Sequence, residues 1–364
     1  MGAVRASIPV ESCAAIVEST QHAAMGGKPG GLERRLVAIA RHLSARLIEL
    51  EGSERGSPGD MAHAFFRGSE GVGVYLRGDW RRALTLLDES TAGTEHYDHS
   101  AGWRADADVF ASWSLNFLGE HRELARRHAN HLASAEARGD RYTSTQLRDG
   151  SLAIVWLAQD DPEGARRNVN ESMALWPRDR YLLQHWHRLY GEGEIELYVG
   201  DGARAYARIE RDARALGRSL LLTVQHMRVQ TAFLRGRAAI ASLGAEAGPR
   251  TARLAEARRI ARQLEKEDAV WSAPFASILR AAVADAEGDR AGAVGGLREA
   301  IARAMAADMN GYATAARYQL GCLLGGDEGH ALVEDAERAM QAQGIRAPAR
   351  FSATLVPGTW KQRG

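Results

Sequence analysis

The chain has 364 residues, 45% hydrophobic and 26% charged, which is ordinary globular usage and excludes wholesale disorder. Lys+Arg 47 against Asp+Glu 46 leaves a formal net charge of +1, so no electrostatic surplus points to nucleic acid or an anionic membrane as partner. Cys13 and Cys322 lie at opposite ends without metal-ligand or redox spacing, which excludes a disulfide framework.

Only Lys28, Lys266 and Lys361 are lysines, and every other basic residue is arginine. A GC-rich bacterial genome imposes such a bias, and the acids interspersed along the chain argue against an arginine-built phosphate surface. Residues 1–31 read as a weakly ordered segment, with a loose helix between Val10 and Met25. They lack a continuous apolar core of the signal-peptide kind, so the expected compartment is the cytoplasm. Residues 32–59 read as an N-terminal helix and linker. Leu36, Ile39, Ala40, Leu43, Leu47 and Leu50 share one helix face, and a Gly/Ser/Pro cluster follows from Glu51 to Gly59.

From Asp60 onward the same punctuation recurs: an apolar helix end, a Gly-Asp-like turn, then an alanine about five residues on. Tyr75-Leu-Arg-Gly-Asp-Trp-Arg-Arg-Ala83 is the clearest copy. Gly78, Gly119, Asp160 and Gly200 are 41, 41 and 40 residues apart. Gly200 to Gly288 is 88, two steps with a degenerate turn near Gly244, and Gly288 to Gly326 is 38. A period near 40 carrying two helices predicts an α-solenoid. Glycine suits the helix C-cap, and aspartate after it suits the next N-cap. Pro162 fits a first helical position, and Leu87, Leu132, Ile209 and Leu297 are expected to fill the seams between pairs. The predicted fold is all-α, a right-handed solenoid of about seven tetratricopeptide-like helix pairs over residues 60–345. A tail follows over 346–364, and no strand is expected.

Gly78, Asp79, Trp80, Ala83 and Leu87 resemble the central part of a tetratricopeptide repeat, in a lengthened variant. A longer stretch, Trp80 to Pro357, resembles the helical-repeat region that follows the catalytic domain of bacterial eukaryotic-like serine/threonine protein kinases. Ser112-Trp-Ser-Leu-Asn-Phe-Leu-Gly119, Leu197-Tyr-Val-Gly-Asp-Gly202 and Gln343-Gly-Ile-Arg-Ala-Pro-Ala-Arg350 carry that likeness. The resemblance implies a non-catalytic, regulatory role.

Catalytic signatures fail. Gly68-Ser-Glu-Gly-Val-Gly-Val-Tyr75 mimics a phosphate-covering loop with its glycines in the wrong order, and Val37-Ala-Ile-Ala40 lacks the ATP lysine. His121-Arg-Glu-Leu124 has glutamate where the catalytic aspartate belongs, and no P-loop or Gly-x-Ser-x-Gly elbow occurs. His128 and His131 read as solvated helix residues rather than zinc ligands, and His185 and His187 point to opposite sides of a helix. No catalytic residue, metal or cofactor is expected.

Repeat proteins of this kind bind through the first helix of each pair. Counting back from each turn places Phe65 and Tyr75 on the inner face of the first copy. Trp113 and Asn116 fall there in the second, and His187, Tyr190 and Glu194 in the fourth. Trp113, Asn116, His187, Tyr190 and Glu194 are the candidate anchors, alternatively packing residues between repeats. The expected function is a protein-interaction or regulatory module with a protein or peptide partner, a kinase or other effector domain among the candidates. The second reading is the small-molecule-sensing arm of a signal-transducing ATPase or transcription regulator. Neither nucleic acid nor membrane is expected as a partner.

Overall fold

The computed structural model describes scattered positions between 38 and 54, and residues 57–360 apart from 96, 98, 99, 175, 178 and 245–248. The expectation for residues 1–31 lies outside the described residues. The chain is all-α, with no strand among the described residues. It divides into two compact units, residues 1–114 and 115–364.

In the first unit, the described positions from 38 to 49 are helical, with Ile39 exposed and Leu43 half-buried. Helix α1 (Pro58–Leu76) is opened by Ser57, whose hydroxyl accepts from the Asp60 amide, and pairs with α2 (Trp80–Thr94). Between them Gly78 takes φ 87° and the Asp79 carboxylate accepts from the Arg82 amide, the expected division of labour at a Gly-Asp turn. Trp80, Ala83 and Leu87 are fully buried. Gly68, Gly71 and Gly73 lie inside α1, so the stretch that mimics a phosphate loop is continuous helix. Helix α3 spans Ala101–Leu118.

The second unit continues with α4 (His121–Ala137), α5 (Arg141–Arg148), a 3-10 turn (Gly150–Ala153), α6 (Ile154–Ala158) and α7 (Pro162–Met173). Next come α8 (Leu183–Tyr198), α9 (Gly202–Arg218), α10 (Gln225–Ala241) and α11 (Arg250–Glu265). The last are α12 (Ser272–Glu287), α13 (Arg290–Ala306), α14 (Asn310–Leu324), α15 (Gly326–Ala342) and α16 (Pro348–Leu355). From α8 to α15 each helix packs on the next. Gly119, Asp160, Gly200 and Gly288 all take positive φ at the predicted turns, and Asp161, Asp201 and Asp289 cap the helices that follow. Gly139 and Asp140 form a further turn of the same kind between α4 and α5.

Three expectations shift register. The last turn is shorter, because Gly325 alone separates α14 from α15. The new helix is therefore rotated: Ala331 is exposed and Gly329 meets Gly321 where the alanine was expected. In the second copy, Leu124 rather than Ala125 is the buried residue five after the glycine. Ile209 and Leu297 fill their seams, whereas Leu132 is only half-buried.

Residues 348–355 form α16, whose Phe351, Ser352 and Thr354 are fully buried. It packs on α8, α14 and α15. Within this unit the two ends meet: a side chain on Gly119 would strike the Gly311 backbone at the start of α14.

Candidate functional site

The candidate anchors separate into two groups. Trp113 belongs to the first unit, half-buried in an aromatic cluster with Phe110 (centroids 4.9 Å apart) and Tyr75 (6.0 Å). Asn116, His187, Tyr190 and Glu194 belong to the second unit. Asn116 is half-buried and donates its amide to the Ser151 carbonyl at 3.4 Å. His187, Tyr190 and Glu194 are all buried.

Helix α8 sets these positions. It is covered on nearly every side although it carries Glu192, Glu194 and Glu196. Each of these buried carboxylates is paired with arginine from its own or a neighbouring helix: Glu192 with Arg188 and Arg208, Glu196 with Arg166, Arg204 and Arg208. Glu194 forms a two-pronged ion pair with Arg237 of α10, one contact at 3.1 Å. Arg237 is fully buried and lies over the Phe233 ring, 4.7 Å from its centroid. Its Nη1 also donates to the Thr354 carbonyl at 2.9 Å, in the last turn of α16, where a cation favours the helix dipole. Burial pushes the Tyr190 and Tyr312 hydroxyls well above the usual range, and the Glu194 charge adds to both shifts.

Asn116, His121, Ser151, Ile154, Tyr190, Glu194, Gly311 and Tyr312 surround a cavity of about 20 Å³, which Phe351 and Leu355 of α16 close. That volume has room for about one water molecule. His121 is buried, its ring 5.1 Å from Phe351 in an edge-on contact, and neither ring nitrogen has a hydrogen-bond partner among the described residues. Burial lowers its pKa to about 4, so the imidazole is neutral at pH 7. Burial does the same to His187, to about 4, and to His226, to about 3 with help from His187.

Tyr190 and Glu194, two of the candidate anchors, are buried, and α16 packs on α8 and α14 in the second unit. Asn116, Tyr190 and Glu194 share the cavity, whereas His187 lies beside Gly150, where a side chain on that glycine would strike its ring. Sequence reasoning missed His121, Arg237, Tyr312 and Phe351. Counting back from Gly244 by the spacing of Glu194 to Gly200 lands on Ala238, next to Arg237, but the degenerate turn blurs that register. His128 is also corrected: it is buried, with Nε2 2.7 Å from the Leu147 carbonyl, rather than solvated.

No group of three metal-ligating side chains occurs among the described residues. Burial raises the Cys322 thiol pKa, which makes it a poor nucleophile. No described helix is long and apolar enough to cross a membrane. No protein-family model matches the chain, and no curated protein matches it.

Proposed function

We propose that the chain is a non-catalytic interaction module, a right-handed α-solenoid of about seven tetratricopeptide-like helix pairs whose inner face in residues 115–364 binds a helical segment. One observation carries this reading: α16 lies on the inner helices α8 and α14, with a carbonyl of its last turn held by the buried Arg237–Glu194 pair. Helix-in-groove binding uses the same elements, an apolar helix face and a few fixed polar contacts. The resemblance to the region after a bacterial serine/threonine kinase domain suits a regulatory arm whose partner is a protein or peptide of a signalling system. The sensing alternative is less well supported. Drug-sized ligands occupy pockets of about 300–1,000 Å³, and the cavity here is about 20 Å³.

The test is selection of helical peptides from a display library against the full chain. Enriched peptides should share an apolar i, i+4 pair and compete with a synthetic peptide of residues 344–360. Enrichment of nothing, or of peptides that this competitor does not displace, removes the inner face as the binding site.

A further inference from the structure

The C-terminal segment is attached as a peptide ligand would be. The Arg346 amide donates to the Ala158 carbonyl at 2.8 Å, and the Gln159 side chain donates to the Gly344 carbonyl at 3.2 Å. Arg350 pairs with Asp160 at 3.1 Å, and Arg237 takes the Thr354 carbonyl. Beyond α16, Thr359 donates its amide (3.0 Å) and hydroxyl (2.8 Å) to Asp285, and the Trp360 amide adds a third bond at 3.3 Å. The segment therefore bonds to α6, α10 and α12, and its helix packs on α8. Gly344, at φ 80°, sits where it leaves α15.

The fit is incomplete in one place. Under Phe351 and Leu355 remain the small cavity and His121, whose ring nitrogens no described residue partners. A buried ring nitrogen gains from a protein hydrogen-bond partner, so a helix that reached His121 with a polar side chain would hold this face better than the chain's own segment does. We infer that residues 346–360 are a displaceable occupant of the inner face, and that the partner replacing them is a short helix with an aromatic residue at the Phe351 position and a side-chain amide or hydroxyl at the Leu355 position. The inference rests on the helix-binding reading above and names its ligand class.

Displacement requires the segment to open without unfolding the rest. Hydrogen exchange on the full wild-type chain reads this without any partner. Amides of residues 349–356 should exchange at least tenfold faster than those of residues 186–198 in α8. Equal rates would mean that the segment leaves only on global unfolding, which overturns the inference even if library peptides bind elsewhere on the inner face. The second measurement adds a fluorescein-labelled peptide of residues 344–360 to the full chain carrying Phe351→Ala. This variant should bind the peptide at least tenfold tighter than wild type, because its own segment competes less. The peptide carrying Leu355→Gln should bind tighter again. A Phe351→Ala chain that fails to fold, or that folds and ignores both peptides, overturns the inference.

Discussion

Helices α2 and α8 solve burial in different ways. In α2 no charged residue goes inside: Trp80, Ala83, Leu86 and Leu87 are buried with Ser90 and Thr94, and Arg81, Arg82, Asp88 and Glu89 stay out or at the boundary. Helix α8 has no such division. Its three glutamates are buried along with Trp186, Leu189 and Leu197, and arginines make that tolerable. The arginine bias, unremarkable as composition, supplies the counter-charges for a helix surrounded by protein. An apolar seam can be read from its residues one at a time. A buried carboxylate can be read only with its partner, and Arg237 is 43 residues from Glu194.

The largest effect that would break this contrast comes from acid. His121, His187 and His226 are neutral inside the second unit, with folded pKa values of about 4, about 4 and about 3 against an ordinary 6.5. The unfolded chain therefore binds more protons as pH falls, and the stability present above about pH 6.5 is lost on the way down through pH 4. A shift from 6.5 to about 4 corresponds to about 3 kcal/mol for His121 and for His187. Asp149 works the other way, since burial holds its carboxyl well above the usual range and acid relieves that cost. Urea midpoints at pH 7 and pH 4.5 should show a net loss on acidification, and a flat profile would mean these histidines are solvated.

Next in size are the two core substitutions. Arg237→Met leaves Glu194 buried without its counter-charge and should cost about 3–5 kcal/mol in urea unfolding. Adding Glu194→Leu should recover most of that loss, because replacing a whole buried pair by apolar groups is often neutral. Trp80→Ala in the first unit should cost a similar 3–5 kcal/mol, but no second substitution at a charged residue should rescue it. Rescue in both places, or in neither, would erase the distinction between the two kinds of core.

The smallest effect separates caps from cores. Asp161→Ala removes the side-chain acceptor of the Gly164 amide, a bond of 2.7 Å at the start of α7. It should cost about 0.5–2 kcal/mol, read as a modest fall in melting temperature. A loss as large as that of Arg237→Met would show that the turns hold the fold as strongly as its interior does.

The helices and most of their turns are written in neighbouring residues. Glycine at positive φ and aspartate at an N-cap act through bonds within a few residues, so Gly78-Asp79, Gly200-Asp201 and Gly288-Asp289 carry the same meaning wherever the chain goes. Burial at Trp80 and Leu87 follows from spacing along one helix. The shortened turn at Gly325 escaped that logic because one missing residue rotates the whole of α15. What covers α8 was settled instead by packing between distant parts of the chain. Residues 346–364 carry no turn signal tying them to α8, and the bonds that dock α16 join Thr354 to Arg237 and Arg350 to Asp160, 117 and 190 residues apart. That Tyr190 and Glu194 share one side of a helix was legible, because residues four apart face the same way. Their contact with Arg237 and their cover by the C-terminal helix were not, because closure of one part of a chain on another leaves no periodic trace in its sequence.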